Sequence, residues 1–135
     1  MTGRPNLVEQ QSAHRTACPF VVAIVGGSGS GKTTLARAIA ARLGRDRVSF
    51  VSQDAYYRDR GDLPPSARAE LNYDVPEALD RPLLSKHLRA LRAGRTVRMP
   101  VYSFESHTRT GQACLAHPLE IILAEGLLLL FDSTI

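Results

Sequence analysis

The sequence predicts an α/β fold: a parallel sheet with helices on both faces, three layers deep (α/β/α). Three observations carry this. The short apolar run Phe20-Val21-Val22-Ala23-Ile24-Val25 reads as a buried strand and leads straight into a glycine-rich loop. A helical stretch follows over 35–43, where Leu35, Ile39 and Leu43 recur every four residues on one face and Gly44 supplies a stop. Two further apolar runs, 47–52 and 119–124, each lead into a carboxylate at their C-terminal end, Asp54 and Glu125. Open parallel sheets place their ligands at those ends.

The loop itself is Gly26, Gly27, Ser28, Gly29, Ser30, Gly31, Lys32, Thr33 and Thr34. Gly26, Gly31, Lys32 and Thr33 fit the spacing of a phosphate loop, so the fold is of the phosphate-loop NTPase type. Glycines let the backbone turn tightly and aim successive N–H groups inward without a Cβ to hold a phosphate away. The loop ends at a helix N-terminus, whose unpaired amides favour an anion. Lys32 is expected to reach the β- and γ-phosphates of ATP or GTP, and the Thr33 hydroxyl to ligate Mg²⁺. A glycine-rich turn that binds nothing is the alternative. A dinucleotide site fits less well, because Lys-Thr after the last glycine suits a triphosphate and a metal.

At 135 residues there is room for one domain. A polar tail is expected over 1–18 and the domain over 19–135. Hydrophobic content of 44% and charged content of 22% are those of a soluble globular chain, expected in the cytoplasm. The net charge of +4 comes from 15 Arg and 2 Lys scattered along the chain. That pattern favours solvated faces over a nucleic-acid-binding tract. No apolar run approaches the 18 residues a membrane helix needs, so no membrane partner is expected. Cys18 and Cys114 form no metal-ligand spacing and read as idle thiols.

Along the rest of the chain, 58–69 reads as a loop around Gly61 and Pro64-Pro65. Asp74 is expected to cap a short turn begun by Pro76, and Asp80 to cap a helix over 81–93. Leu84, Leu88 and Leu91 mark that helix's buried face, with His87 partly buried beside them. An extended piece at 96–100 pairs with 112–116, and 101–109 between them reads as a loop carrying Tyr102, Phe104, His107 and Arg109. Aromatics there either cover a planar ligand or pack on the core. From position alone, Asp54 reads equally as a ligand-facing carboxylate or a solvated one.

Several separated stretches together resemble the uridine kinase (uridine–cytidine kinase) family of the phosphoribulokinase/uridine kinase superfamily. They are Gly-Gly-Ser-Gly-Ser-Gly-Lys-Thr-Thr at 26–34, Ser-Gln-Asp-Ala-Tyr-Tyr at 52–57, Asn-Tyr-Asp-Val-Pro-Glu-Ala-Leu-Asp at 72–80, Pro-Val-Tyr-Ser-Phe-Glu-Ser-His-Thr-Arg at 100–109 and Glu-Gly-Leu-Leu at 125–128. The resemblance implies transfer of the γ-phosphate of ATP or GTP to the 5′-hydroxyl of uridine or cytidine. It implies that Asp54 accepts the hydroxyl proton beside Mg²⁺, that Lys32 is catalytic, and that Thr33, Asp54 and Glu125 surround the metal. Tyr57, Tyr73, Asp74, Tyr102, Phe104 and His107 match positions that hold the nucleoside, Asp74 on the ribose. Arg109 matches a family arginine to which no role is assigned. Near Lys32 and a metal, the Asp54 carboxyl is expected to titrate low. Val75 and Ser103 depart from the family's usual polar residue and Asp.

Family members continue past this length with more strands and an arginine-bearing lid, and are often tetramers. The expectation is therefore an amino-terminal portion, cut after the third core strand and leaving one side of the strand at 20–25 bare. A related kinase acting on another alcohol, and a nucleotide-binding portion without catalysis, are the alternatives.

Overall fold

The computed structural model describes residues 18–127 and 129. Within them, three parallel strands form the central sheet: β1 (Phe20–Val25), β2 (Val48–Ser52) and β5 (Ile121–Gly126), in the order β1-β5-β2. β5 sits in the middle, apolar from Ile121 to Ala124 and buried on both faces, as a doubly covered strand is. Ile122 and Ala124 point into one core, with Val51, Tyr56, Leu84, Leu88 and Leu91. Leu123 points into the other, with Ala36 and Val48. The two cores belong to two helices on opposite faces, α3 (Arg81–Arg92) and α1 (Lys32–Leu43), which gives the three layers.

α3 is built as expected. Asp80 accepts from the Leu83 amide at 3.2 Å, Pro82 lies in the first turn, and Gly94 follows with φ of 82°. Leu84, Leu88 and Leu91 are buried, each contributing about 1.5–3 kcal/mol. The His87 ring, half-buried, meets the Tyr56 hydroxyl through Nδ1 at 3.0 Å. α1 meets its expected face only in part, since Ile39 packs against the core. Leu35 is 54% exposed and Leu43 is exposed as well, while Ala36 is fully buried against β5. On the outer side of β1 no described strand pairs with it, and Phe20, Val21 and Val22 are exposed.

Four other boundaries move. Residues 65–69, expected as loop, form a short helix, α2 (Pro65–Ala69), with proline at its first position. Asp74 does not cap the 3₁₀ turn Pro76–Ala78; Val75 stands at that cap and offers no side-chain acceptor. The 101–109 segment is mostly strand: β3 (Val97–Ser103) and β4 (Thr108–Ala116) form an antiparallel hairpin that leaves four residues, 104–107, in the turn. Its register shifts between Pro100 and Tyr102, the mark of a bulge. Glu125 and Gly126 lie inside β5 rather than after it. Of the tail expected over 1–18, residues 1–17 lie outside the described residues, as does the Leu128 end of the last motif.

Candidate active site

β1 ends at Val25 and the chain turns through the glycine loop into α1. Gly29 and Gly31 take φ of 74° and 83°, values that L side chains rarely adopt. A Cβ on Gly26 would come within 2.7 Å of Ser30 Oγ. Gly31 stands at the N-cap of α1 with no side-chain acceptor for the first amides, so the helix entry has donors to offer an anion. The Lys32 ammonium donates to the Gly27 carbonyl at 3.5 Å, folding over the loop it serves.

Glu125 is the buried centre beside this loop, 2% exposed. Thr33 Oγ1 donates to its Oε2 at 3.2 Å and Ser52 Oγ to its Oε1 at 2.5 Å. The register explains the second bond, since Ser52 and Glu125 are partners across the β2–β5 pair. Ser52 was not anticipated; the signal available was a hydroxyl at the end of a strand adjacent to the acidic one.

Asp54 follows on the 3₁₀ turn Gln53–Tyr56. Its carboxyl is held above its usual value of 3.8, first by burial and then by the Glu125 charge, with Lys32 pulling it down. Of the two causes expected to lower it, Lys32 acts in that direction, but burial and the Glu125 charge outweigh it. The three charges nevertheless lie within electrostatic reach of one another. Gln53 is packed so closely on Gly126 that a Cβ there would lie 2.4 Å from the Gln53 Cβ. That contact seats the Asp54 turn on β5.

Thr33, Asp54 and Glu125 supply two carboxylates and a hydroxyl. The described residues hold no group of three His, Cys, Asp or Glu able to bind a metal alone. That donor set suits Mg²⁺, which keeps waters and takes substrate phosphate oxygens in place of a full protein cage.

Five of the six residues expected at the nucleoside meet in one aromatic cluster. The Tyr57 ring lies 5.2 Å from Tyr102, 5.6 Å from Tyr73 and 6.2 Å from Phe104. Tyr73 and His107 are stacked at 4.9 Å, 16° from parallel. His107 reaches this position with φ of 53° in the hairpin turn, a backbone state uncommon outside glycine. Phe104 is 58% exposed at the cluster's rim. The Tyr73 hydroxyl donates to the Arg68 carbonyl at 2.7 Å, while the Tyr102 hydroxyl is buried without a hydrogen bond of good geometry. Asp74, the sixth residue, is exposed next to the cluster. The Tyr57 phenol is pushed up to about 12 by burial, then by the Asp54 and Asp74 charges. The phenol thus lies within reach of both carboxylates.

Arg109 acquires a definite place. Its Nε donates to the Tyr57 carbonyl and its Nη2 to Asp80 Oδ2, both at 3.1 Å. Asp80 caps α3 with its other oxygen, and its own amide donates to the Tyr56 carbonyl at 2.8 Å. One arginine therefore ties the hairpin, the Asp54 turn and the start of α3 together.

A glycine loop between a strand and a helix, with carboxylates at the ends of the neighbouring parallel strands, defines a phosphate-loop protein of the three-layer α/β class. Comparison with known proteins narrows the class. The model of the phosphoribulokinase/uridine kinase family matches residues 21–135, and the chain belongs to that family. It is 47% identical over 115 residues to a uridine kinase of Deinococcus deserti and 44% identical over 119 residues to one of Tolumonas auensis. Each match takes in 85% of this chain and 56% of the relative, so the chain spans about half the length of these relatives. A solved structure described as a possible uridine kinase from Bacillus stearothermophilus superposes with a TM-score of 0.68 at 25% identity, over 90% of this chain and 67% of that one.

Proposed function

We propose that this chain carries the nucleotide and nucleoside sites of a soluble, cytoplasmic pyrimidine-salvage kinase, which transfers the γ-phosphate of ATP or GTP to the 5′-hydroxyl of uridine or cytidine. The observation that supports it best is the Tyr57 phenol, within reach of Asp54 and Asp74 and ringed by Tyr73, Tyr102 and Phe104. A nucleoside needs an aromatic surface for its base and an acceptor for its ribose hydroxyls. It also needs a second carboxylate where its primary alcohol meets phosphate. The aromatic cluster, Asp74 and Asp54 are read in those three roles, and Asp54 feels the charge of Lys32 in the phosphate loop as well.

In this reading the loop amides of residues 26–31 and Lys32 hold the triphosphate, with Thr34 beginning the helix behind it. Asp74 holds the ribose diol, and Tyr102 and His107 fix the base. Asp54 orients the 5′-hydroxyl in line with the γ-phosphorus. As the new P–O5′ bond forms, the bond from the γ-phosphorus to the β–γ bridging oxygen breaks. The hydroxyl proton passes late to the Asp54 carboxylate, consistent with a loose transition state that asks little of a base. Mg²⁺, held by Thr33, Asp54 and Glu125, would neutralise charge on the phosphates.

The test is Asp54→Asn in the full chain, assayed with uridine and ATP. Turnover is expected to fall at least about 100-fold with ATP affinity kept. Near-normal turnover would remove Asp54 from the chemistry. ATP binding with no turnover by the unsubstituted chain would assign a nucleotide-binding, non-catalytic role instead.

A further inference from the structure

Ser52 stands where a serine has a local task and does not perform it. It is the last residue of β2 and the N-cap of the 3₁₀ turn Gln53–Tyr56, the turn that carries Asp54. At such a position a serine hydroxyl ordinarily accepts from an amide of the first turn. Here it makes no cap bond. It reaches across the sheet instead and donates to Glu125 Oε1 at 2.5 Å.

Ser49, three residues earlier on the same strand, shows what a structural serine does. Its hydroxyl donates to the His117 carbonyl and accepts from the Leu119 amide, so it serves backbone alone. The Ser52 bond goes to a charged group that is 2% exposed. A carboxylate buried to that degree depends on protein donors for each oxygen. Thr33 Oγ1 serves Oε2 at 3.2 Å and Ser52 serves Oε1. The carboxylate is therefore gripped by both of its oxygens, from β2 on one side and from the second residue of α1 on the other. A hydroxyl has one hydrogen and two lone pairs. Thr33 commits its hydrogen to Glu125, so lone pairs are what it has to offer a cation beside the phosphate loop.

We propose that Ser52 is a positioning residue for the divalent cation of the reaction: it holds Oε1 of Glu125 so that Oε2 keeps the Thr33 hydroxyl turned with its lone pairs toward the metal. The proposal rests on the reading of Thr33, Asp54 and Glu125 as the Mg²⁺ site. Ser52 acts through Glu125 and is not itself a ligand. Without its hydroxyl, Oε1 is left buried and unpaired. The terminal torsion of a glutamate has a broad profile, so the carboxylate then rotates and releases Thr33.

The experiment measures, by calorimetry, the affinity of the full chain for a non-hydrolysable ATP analogue, with Mg²⁺ present and with the metal chelated. The ratio is the gain that the metal supplies. Ser52→Ala is expected to cut that gain about tenfold, or to abolish a smaller one, with the metal-free affinity unchanged. Ser52→Thr and Ser52→Val have nearly the same shape, both suit a strand, and differ in the hydroxyl. Threonine should retain the gain and valine lose it, and this pair decides the question even where alanine fails to fold. Ser49→Ala should lower the melting midpoint and leave the gain intact. A valine variant equal to threonine would overturn the proposal. So would an equal loss of metal-free affinity in Ser52→Ala, or a Ser49→Ala variant that loses the gain as well, since either marks general damage to the strand. A wild-type chain with no metal-dependent gain would refute the metal reading itself, and the proposal with it. A wild-type gain that Ser52→Ala leaves whole would refute the role of Ser52 alone.

Discussion

Replacing Arg109 by alanine removes more than a surface charge. Its side chain and that of Asp80 are 22% and 25% exposed, so the pair lies mostly out of water. At 3.1 Å and an effective dielectric of about 20, the gross attraction is roughly 5 kcal/mol. Desolvation offsets much of it. Breaking an exposed pair costs about 0–1 kcal/mol and a fully buried one about 3–5, which places this pair near 2. The Tyr57 carbonyl also loses its donor, adding about 1. Arg109→Ala is therefore expected to cost about 3 kcal/mol in urea denaturation. Arg109→Lys should recover only part, because an ammonium cannot span both acceptors as the guanidinium fork does. Asp80→Asn keeps an acceptor for the Leu83 amide and removes the charge, so it separates the ion pair from the helix cap. A double-mutant cycle of Arg109→Ala with Asp80→Asn should show coupling of about 1–2 kcal/mol. Coupling within about 0.3 kcal/mol of zero would refute the clamp.

Gly126→Ala should destabilise the fold by about 1–3 kcal/mol, because its Cβ would collide with Gln53 at 2.4 Å; an unchanged melting midpoint would contradict the packing. Asp54→Asn should stabilise the protein at neutral pH. The folded carboxyl titrates above 3.8, so stability falls as pH rises from 3.8 through the raised value and stays reduced above it; the variant removes that loss. Its advantage in urea melts should vanish below about pH 3.8, and a variant less stable than wild type at pH 7 would be the wrong result. His87 has the opposite profile: burial, then Lys86, lowers its folded value, so stability is present above 6.5 and lost as pH falls. His87→Gln should flatten that acid limb, and an unaltered limb would exclude His87. His107→Ala should raise the nucleoside KM about tenfold or more with little change for ATP, since the ring stacked on Tyr73 is removed and the loop is untouched.

The phosphate loop and its flanking strand and helix were legible because each obeys a local rule: glycines at strained positions, a short apolar run, a lysine at the helix start. Asp80 and the leucines of α3 were legible for the same reason. What failed was local inference about non-local fit. Leu35, Ile39 and Leu43 form a fair helical stripe, yet Ala36 is the residue fully buried against the sheet, and of the three only Ile39 joins that core. The pair Pro64-Pro65 suggested loop, although proline at a first helical position is also a start signal. The direction of Asp54's titration depends on its burial and on Glu125, 71 positions away, which only the fold brings near. No sequence pattern links Arg109 to Asp80 and the Tyr57 carbonyl; only the folded hairpin brings them together.

The side chains of β5 alternate between the two helices, and Glu125 falls on the α1 side only because the four residues upstream, 121–124, pair in one register with β1 and β2. A slip of a single position would swing that carboxylate to the opposite surface of the sheet, away from Thr33 and Ser52. Zipping the last rungs of the ladder and charging the site are consequently the same event, and no loosely paired intermediate can hold the acidic group ready ahead of time.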